Sequence, residues 1–137
     1  MMTDVRADQH DIAEVLVRYA TGIDRRDWAL FRTCWADPVE LDYTGIARWE
    51  SGEAITEFMA TSHADMGHTM HRLSNLAIDV DGDTATARSY VDAVLMAGDG
   101  QSGLNAIGFY DDRLARTADG WRITHRTYTP VHFRPIS

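Results

Sequence analysis

The hydrophobic spacing of this chain changes once, and that change limits the fold more than any other feature. Early apolar residues recur at helical spacing. Ile12, Val15, Leu16, Tyr19, Ala20 and Ile23 form one continuous stripe at i, i+3, i+4, i+7, i+8 and i+11. After His68 the period becomes two, with Leu76, Ile78 and Val80 alternating with Ala77 and Asp79. Helices first and long strands afterwards define an α+β domain. The 137 residues suffice for one domain with a real core, so residues 1–137 are read as a single unit with its core at about 7–133.

Punctuation residues refine this. Asp8 is placed as the N-cap of the first helix, with Asp11 in its first turn. Asp27 caps a short second helix carrying Trp28, Phe31 and Trp35 at i, i+3 and i+7, which Asp37-Pro38 should end. Ser51 opens a third, with Ala54, Ile55, Phe58 and Met59 on one side. Val39 to Tyr43 alternates as a strand, and Thr44-Gly45 turns. Asp81-Gly82-Asp83, the glycines around residues 98–103 and Ala118-Asp119-Gly120 divide the second half into four long strands. The expected architecture is a strongly curved antiparallel sheet, a cone-shaped α+β barrel, enclosing a pocket with three helices from the N-terminal half. On the strand from Ala85 to Met96, Val91 and Leu95 share an outward row with Ala85, Ala87 and Ala93 if Tyr90 and Val94 face inward.

Charge and cysteine content exclude several functions. The formal net charge is −8, which repels phosphate backbones and anionic lipids, so no nucleic acid and no membrane partner is expected. Cys34 alone cannot form an internal disulfide or a structural zinc site. Met1 to Arg6 lacks the apolar segment of a signal peptide, and the expected location is cytoplasmic.

Two polar residues stand out against apolar surroundings. Asp24 continues the row Ile12, Leu16, Ala20 toward the buried face of the first helix. A carboxylate there needs a partner, unless it turns to solvent or caps the second helix. His71 opens the first long strand and shares a face with Leu73 and Asn75. It suits a general base near neutral pH if a carboxylate orients it, and it equally suits a core histidine bonded to backbone. His68 competes for the same role. His63, His68 and His71 lack a second ligand cluster and no HExxH pattern occurs, so no metal is expected. Tyr19 and Tyr43 are amphipathic and could serve core or site. Arg126 has parity opposite to Trp121 and Ile123 and reads as an outer-face charge.

Taken together, Arg18 to Trp28, His71 with Asn75, Gly108-Phe109-Tyr110-Asp111-Asp112 and Asp119-Gly120-Trp121-Arg122-Ile123 resemble the SnoaL-like branch of the nuclear transport factor 2-like superfamily. The resemblance spans about residues 7–133. Its nearest functional likeness is to scytalone dehydratase, bile acid 7α-dehydratase and hexachlorocyclohexane dehydrochlorinase, and it implies an Asp–His dyad made of Asp24 and His71. It also implies site roles for Tyr19 and Tyr43, and it fits Arg126 to the dehydrochlorinase's last-strand arginine. The bile acid enzyme's late arginine falls near Pro130 and has no match. The implied activity is a cofactor-free, dehydratase-type lyase acting on a small, largely apolar molecule. An isomerase or polyketide cyclase using the same dyad is an alternative, and a non-catalytic ligand-binding module is another. Trp28, Trp35, Met70, Met96, Phe109 and Phe133 are the expected apolar walls, with Asn75 and Arg126 as substrate contacts. A homo-oligomer, dimer or trimer, is expected through the outer sheet face.

Overall fold

The computed structural model describes residues 4–137. Helix α1 runs from Val5 to Arg25, α2 from Trp28 to Arg32 and α3 from Gly52 to His63. Strands follow as β1 (Trp35–Tyr43), β2 (Ala47–Trp49), β3 (Met66–Asp81), β4 (Thr84–Ala97), β5 (Gly103–Thr117) and β6 (Gly120–Ile136). They form one six-stranded sheet in the order β2-β1-β6-β5-β4-β3. The sheet is curved and does not close, since β2 and β3 remain as edges. All pairings are antiparallel except β1 with β6, which is parallel and was not anticipated. Among the described residues, no helix is long and apolar enough to cross a membrane.

The stripe on α1 is buried as its spacing dictates, with Ile12, Leu16, Tyr19 and Ile23 essentially without exposure. Each such side chain contributes about 1.5–3 kcal/mol when fully buried. The cap lies one turn earlier than expected. Asp4 accepts from the backbone N–H groups of Arg6 and Ala7, while Asp8 is inside, held by both outer nitrogens of Arg116 and by the Trp121 indole. An aspartate in the first turn satisfies either pattern, and only tertiary partners choose between them.

The chain turns sharply after α1. Asp27 N–H donates to the Gly22 carbonyl at 2.8 Å, and a side chain at Gly22 would strike the backbone of Phe31. The bare glycine lets α2 fold back on α1. Arg26 adopts a left-handed conformation, φ 57°, which a non-glycine residue avoids. Its guanidinium offsets that strain by donating to the Ile23 carbonyl, the Gly67 carbonyl and the Thr69 hydroxyl. The same side chain thus ties the end of α1 to the start of β3.

Several expectations fail here for identifiable reasons. Helix α2 has only five residues, so Trp35 belongs to β1 and lies wholly inside the core beside Tyr19 and Phe31. The face assignment of β4 is reversed: Ala85, Ala87, Val91 and Ala93 point inward and Tyr90 is exposed. Side chains converge on the concave side of a curved sheet, so the row of small residues occupies it. Arg126 also faces inward, with no exposure. The pairing of β5 with β6 shifts between Arg113 and Leu114, leaving Thr124 as an extra residue, so Ile123 and Arg126 share one face despite opposite parity.

Candidate active site

Asp24 sits in the last turn of α1, directly opposite the start of β3. Its Oδ1 lies 2.7 Å from Nδ1 of His71. Oδ1 also accepts from the Thr69 hydroxyl at 2.9 Å, and Oδ2 accepts from the backbone N–H of His71 at 2.8 Å. Burial pushes the Asp24 carboxyl up, but the His71 ring, the His71 N–H and the Thr69 hydroxyl together hold it below its ordinary value. An ionised Asp24 only accepts, so the proton shared with His71 resides on Nδ1. In the neutral ring the lone pair is then on Nε2, and the side chain is 9% exposed.

A cluster of phenols stands beside the ring. Tyr19 packs edge-on to His71, ring centroids 6.2 Å apart. The Tyr43 hydroxyl donates to the Tyr19 hydroxyl at 2.9 Å, and Tyr110 approaches the same oxygen at 3.5 Å. Arg126 reaches Tyr43 from behind at 3.4 Å. An arginine can only donate, so the hydrogen-bond direction runs from Arg126 to Tyr43 to Tyr19. Tyr19 accepts from its neighbours and keeps its own O–H for something else. Burial pushes the Tyr19 hydroxyl well above the ordinary phenol range, which makes it a neutral donor.

Arg126 is itself held in place by a buried pair. Its Nε and Nη2 donate to the two oxygens of Asp112 at 2.7 and 2.9 Å. The guanidinium lies over the rings of Tyr110 and Tyr19, 3.8 and 4.3 Å from their centroids. Burial opposes its charge, but Asp112 and the tyrosines keep it protonated, above the ordinary arginine range. It buttresses the phenols and does not line the cavity.

Tyr19, Tyr43 and His71 open onto a cavity of about 380 Å³. Its apolar walls come from Ile23, Met59, Val91, Leu95, Leu104 and Ala106. Ile46, Phe58 and Phe133 stand at exposed positions of the same wall. Of the expected wall residues only Phe133 lines it. Trp28 packs against Phe31 and His63 outside the lining, and Trp35 is core. Met70 is 57% exposed, being out of phase with His71. Met96 lines a separate surface cleft with Arg26 and His68. Phe109 carries Arg88 over its ring on the outer face, opposite Tyr90. Asn75 is exposed at a bulge with φ 53° and faces away from the cavity. The tyrosines missed in the sequence, Tyr110 and Tyr128, share inward parity on the longest antiparallel pair and lie directly opposite each other. Tyr110 carries a readable signal, since it shares parity with buried Leu114, whereas the bulge at Thr124 hides that Tyr128 shares the face of Ile123.

His68 is exposed, does not line the cavity that His71 lines, and stands with Asp24 and Arg26 on the surface cleft. His63, His68 and His71 do not converge on one point. Among the described residues, the ligand-type side chains that do converge are His10, Asp11 and Glu14, all exposed on α1. Cys34 is buried, its thiol pushed up to about 12 by burial, and it is packing.

A carboxylate–histidine pair at the mouth of a phenol-lined apolar cavity, in a curved sheet wrapped by helices, defines a class of small α+β domain. Residues 4–127 match the SnoaL-like domain family, and the chain belongs to it. The uncharacterized protein Rv2910c of Mycobacterium tuberculosis is 30% identical over 125 residues, covering 90% of this chain and 85% of that one. The crystal structure of the Kfla4162 protein from Kribbella flavida superposes with a TM-score of 0.88 at 28% identity, covering 96% of this chain and 95% of the other. The hexachlorocyclohexane dehydrochlorinase LinA-type3 from Novosphingobium barchaimii has a TM-score of 0.80 at 18% identity, covering 97% and 90%, a likeness of fold. Other structures sharing this fold carry dehydratase names.

Proposed function

We propose that this protein is a cofactor-free lyase that eliminates water or a comparable leaving group from a small, neutral, largely apolar molecule. The contact that carries this reading is the 2.7 Å hydrogen bond between Asp24 and His71 Nδ1, which leaves Nε2 as a base facing the cavity. Nε2 takes a proton from carbon next to an activating group. The C–H electron pair forms the new double bond, and the carbon–oxygen bond to the leaving hydroxyl breaks. Tyr19 stays neutral and donates a hydrogen bond to that oxygen, while the imidazolium of His71 gives its proton to the departing hydroxyl, so water leaves and the ring is neutral again. Asp24 stabilises the imidazolium while it lasts. The apolar lining favours neutral substrates and strengthens these charge interactions by excluding water. The dehydratase and dehydrochlorinase names among proteins of this fold support an elimination.

Turnover of a panel of hydroxy-ketones by wild type and variants tests the reading. Asp24→Asn should bind ligand with similar affinity and lose on the order of 100-fold or more in kcat. His71→Ala should lose a similar amount, and the double variant little beyond the worse single one, because the pair acts as a unit. Additive losses, or full activity without either residue, would sink the dyad mechanism.

A further inference from the structure

His63 is the other histidine of this cavity wall, and the elimination does not use it. It ends α3, is 6% exposed, and stacks edge-on against Trp28. Its Nδ1 lies 2.9 Å from the Met59 carbonyl and 3.0 Å from the Ser62 hydroxyl. Ser62 in turn donates to the same carbonyl. A carbonyl only accepts, so Nδ1 carries the ring proton and Nε2 is left as a bare acceptor. That Nε2 is buried without any hydrogen-bonding partner. Burial pushes the ring down from its ordinary value; the neighbouring Arg26 and His71 act in the same direction, while the Met59 contact and Asp24 oppose it. The ring therefore stays neutral. His63 lines the cavity, so a ligand donor that seats against its ring can complete the orphaned acceptor.

We propose that His63 Nε2 is a second polar anchor of the cavity, accepting a hydrogen bond from the hydroxyl of a neutral, otherwise apolar ligand, an alcohol or phenol. A neutral acceptor selects a donor and disfavours a carboxylate or carbonyl at this end. The subsite deepens the elimination reading by adding a hydroxyl to the substrate class, and it binds whether or not His71 acts as a base.

The test uses the full chain with 1-naphthol and naphthalene as probes. Their dissociation constants are measured for wild type, His63→Leu and Asp24→Asn. The ratio of the naphthalene constant to the naphthol constant should fall about fivefold to tenfold in His63→Leu, the worth of one neutral hydrogen bond. It should be unchanged in Asp24→Asn. An unchanged ratio in His63→Leu would assign the hydroxyl to the tyrosines and overturn the subsite while leaving the dyad standing. A ratio lost only in Asp24→Asn, or no binding of either probe to wild type, also overturns it. Should His63→Leu fail to fold, ¹⁵N spectra of wild type decide: the His63 Nε2 resonance moves with 1-naphthol and stays with naphthalene, and equal responses refute the anchor.

Discussion

Replacing Asp112 with Asn turns Arg126 into a buried cation without an anion. Both side chains are closed to water, at 0% and 1% exposure. Removing one partner of a buried pair costs about 3–5 kcal/mol. The tyrosine faces over and under the guanidinium return some of this, about 0.5–2 kcal/mol, and the Asn carbonyl can still accept one bond. A net loss of about 3 kcal/mol follows, a large part of the roughly 5–15 kcal/mol that holds a domain together. With a urea slope of about 2 kcal/mol per molar, the unfolding midpoint should drop by about 1.5 M. Tryptophan fluorescence follows it directly, because Trp35 and Trp121 are buried.

Arg126→Met behaves differently, and the difference identifies the charge as the cause. Burial pushes the Asp112 carboxyl above its ordinary value, so without Arg126 it can take a proton and become neutral. A carboxyl with a raised folded value binds more protons folded than unfolded. The variant is therefore least destabilised at low pH and loses stability as pH rises above about 4, the unfolded carboxylate range. Asp112→Asn shows no such relief. The double variant Asp112→Asn, Arg126→Met should lose less than the two singles combined. A midpoint shift in Asp112→Asn under about 0.3 M, or additive losses, would refute the view that an ion pair fixes the phenol cluster.

Three groups give acid sensitivity in two windows. His63, lowered from 6.5, removes stability as pH falls below 6.5, and Asp8 and Asp24, lowered from 3.8, do so only as pH falls below 3.8; in each case the unfolded chain binds the extra proton. Urea midpoints against pH should show both slopes, with the upper one absent in His63→Leu; a single slope in wild type would contradict this. Cys34 should resist alkylation by iodoacetamide in the native protein and react on unfolding, since burial holds the thiol at about 12; labelling at native rates near those of free cysteine would contradict it. Exposed Tyr90, Ile107 and Leu76 give the outside of the sheet apolar surface, and light scattering should return a dimer or trimer mass, with 15.4 kDa at micromolar concentration as the contrary result.

Some of this site is legible in the chain. Asp24 follows from a helical row that runs off its apolar residues onto a carboxylate, and His71 from its place at the first period-two segment. Each needs a partner, and the fold supplies the other. Tyr19 and Tyr43 follow the same logic. Trp35 misleads because a spacing of 28, 31 and 35 suits both a helix and a tight corner leading into a strand, and Phe31 satisfies the core in either case. The face of β4 misleads because its large side chains, Tyr90, Val94 and Met96, lie on the same row as Arg88 and Asp92, while the buried row is mostly alanine. Size then points to one row and charge to the other, and the charges mark the outer side.

Arg126 and His63 mark where such reading stops. A one-residue bulge at Thr124 inverts the side chains after it as far as a second bulge at Val131, and nothing in the local residue types announces the first. The arginine that parity assigns to solvent becomes the buried support of the site. His63 is hidden for a different reason: at the end of a helix it resembles a residue that interacts with the last carbonyls, and it does contact Met59. Only the burial of its far nitrogen without a partner shows that half of its hydrogen-bonding capacity is unused. The dyad could be found from what two residues need, whereas the anchor is visible only from what the finished cavity leaves without a partner.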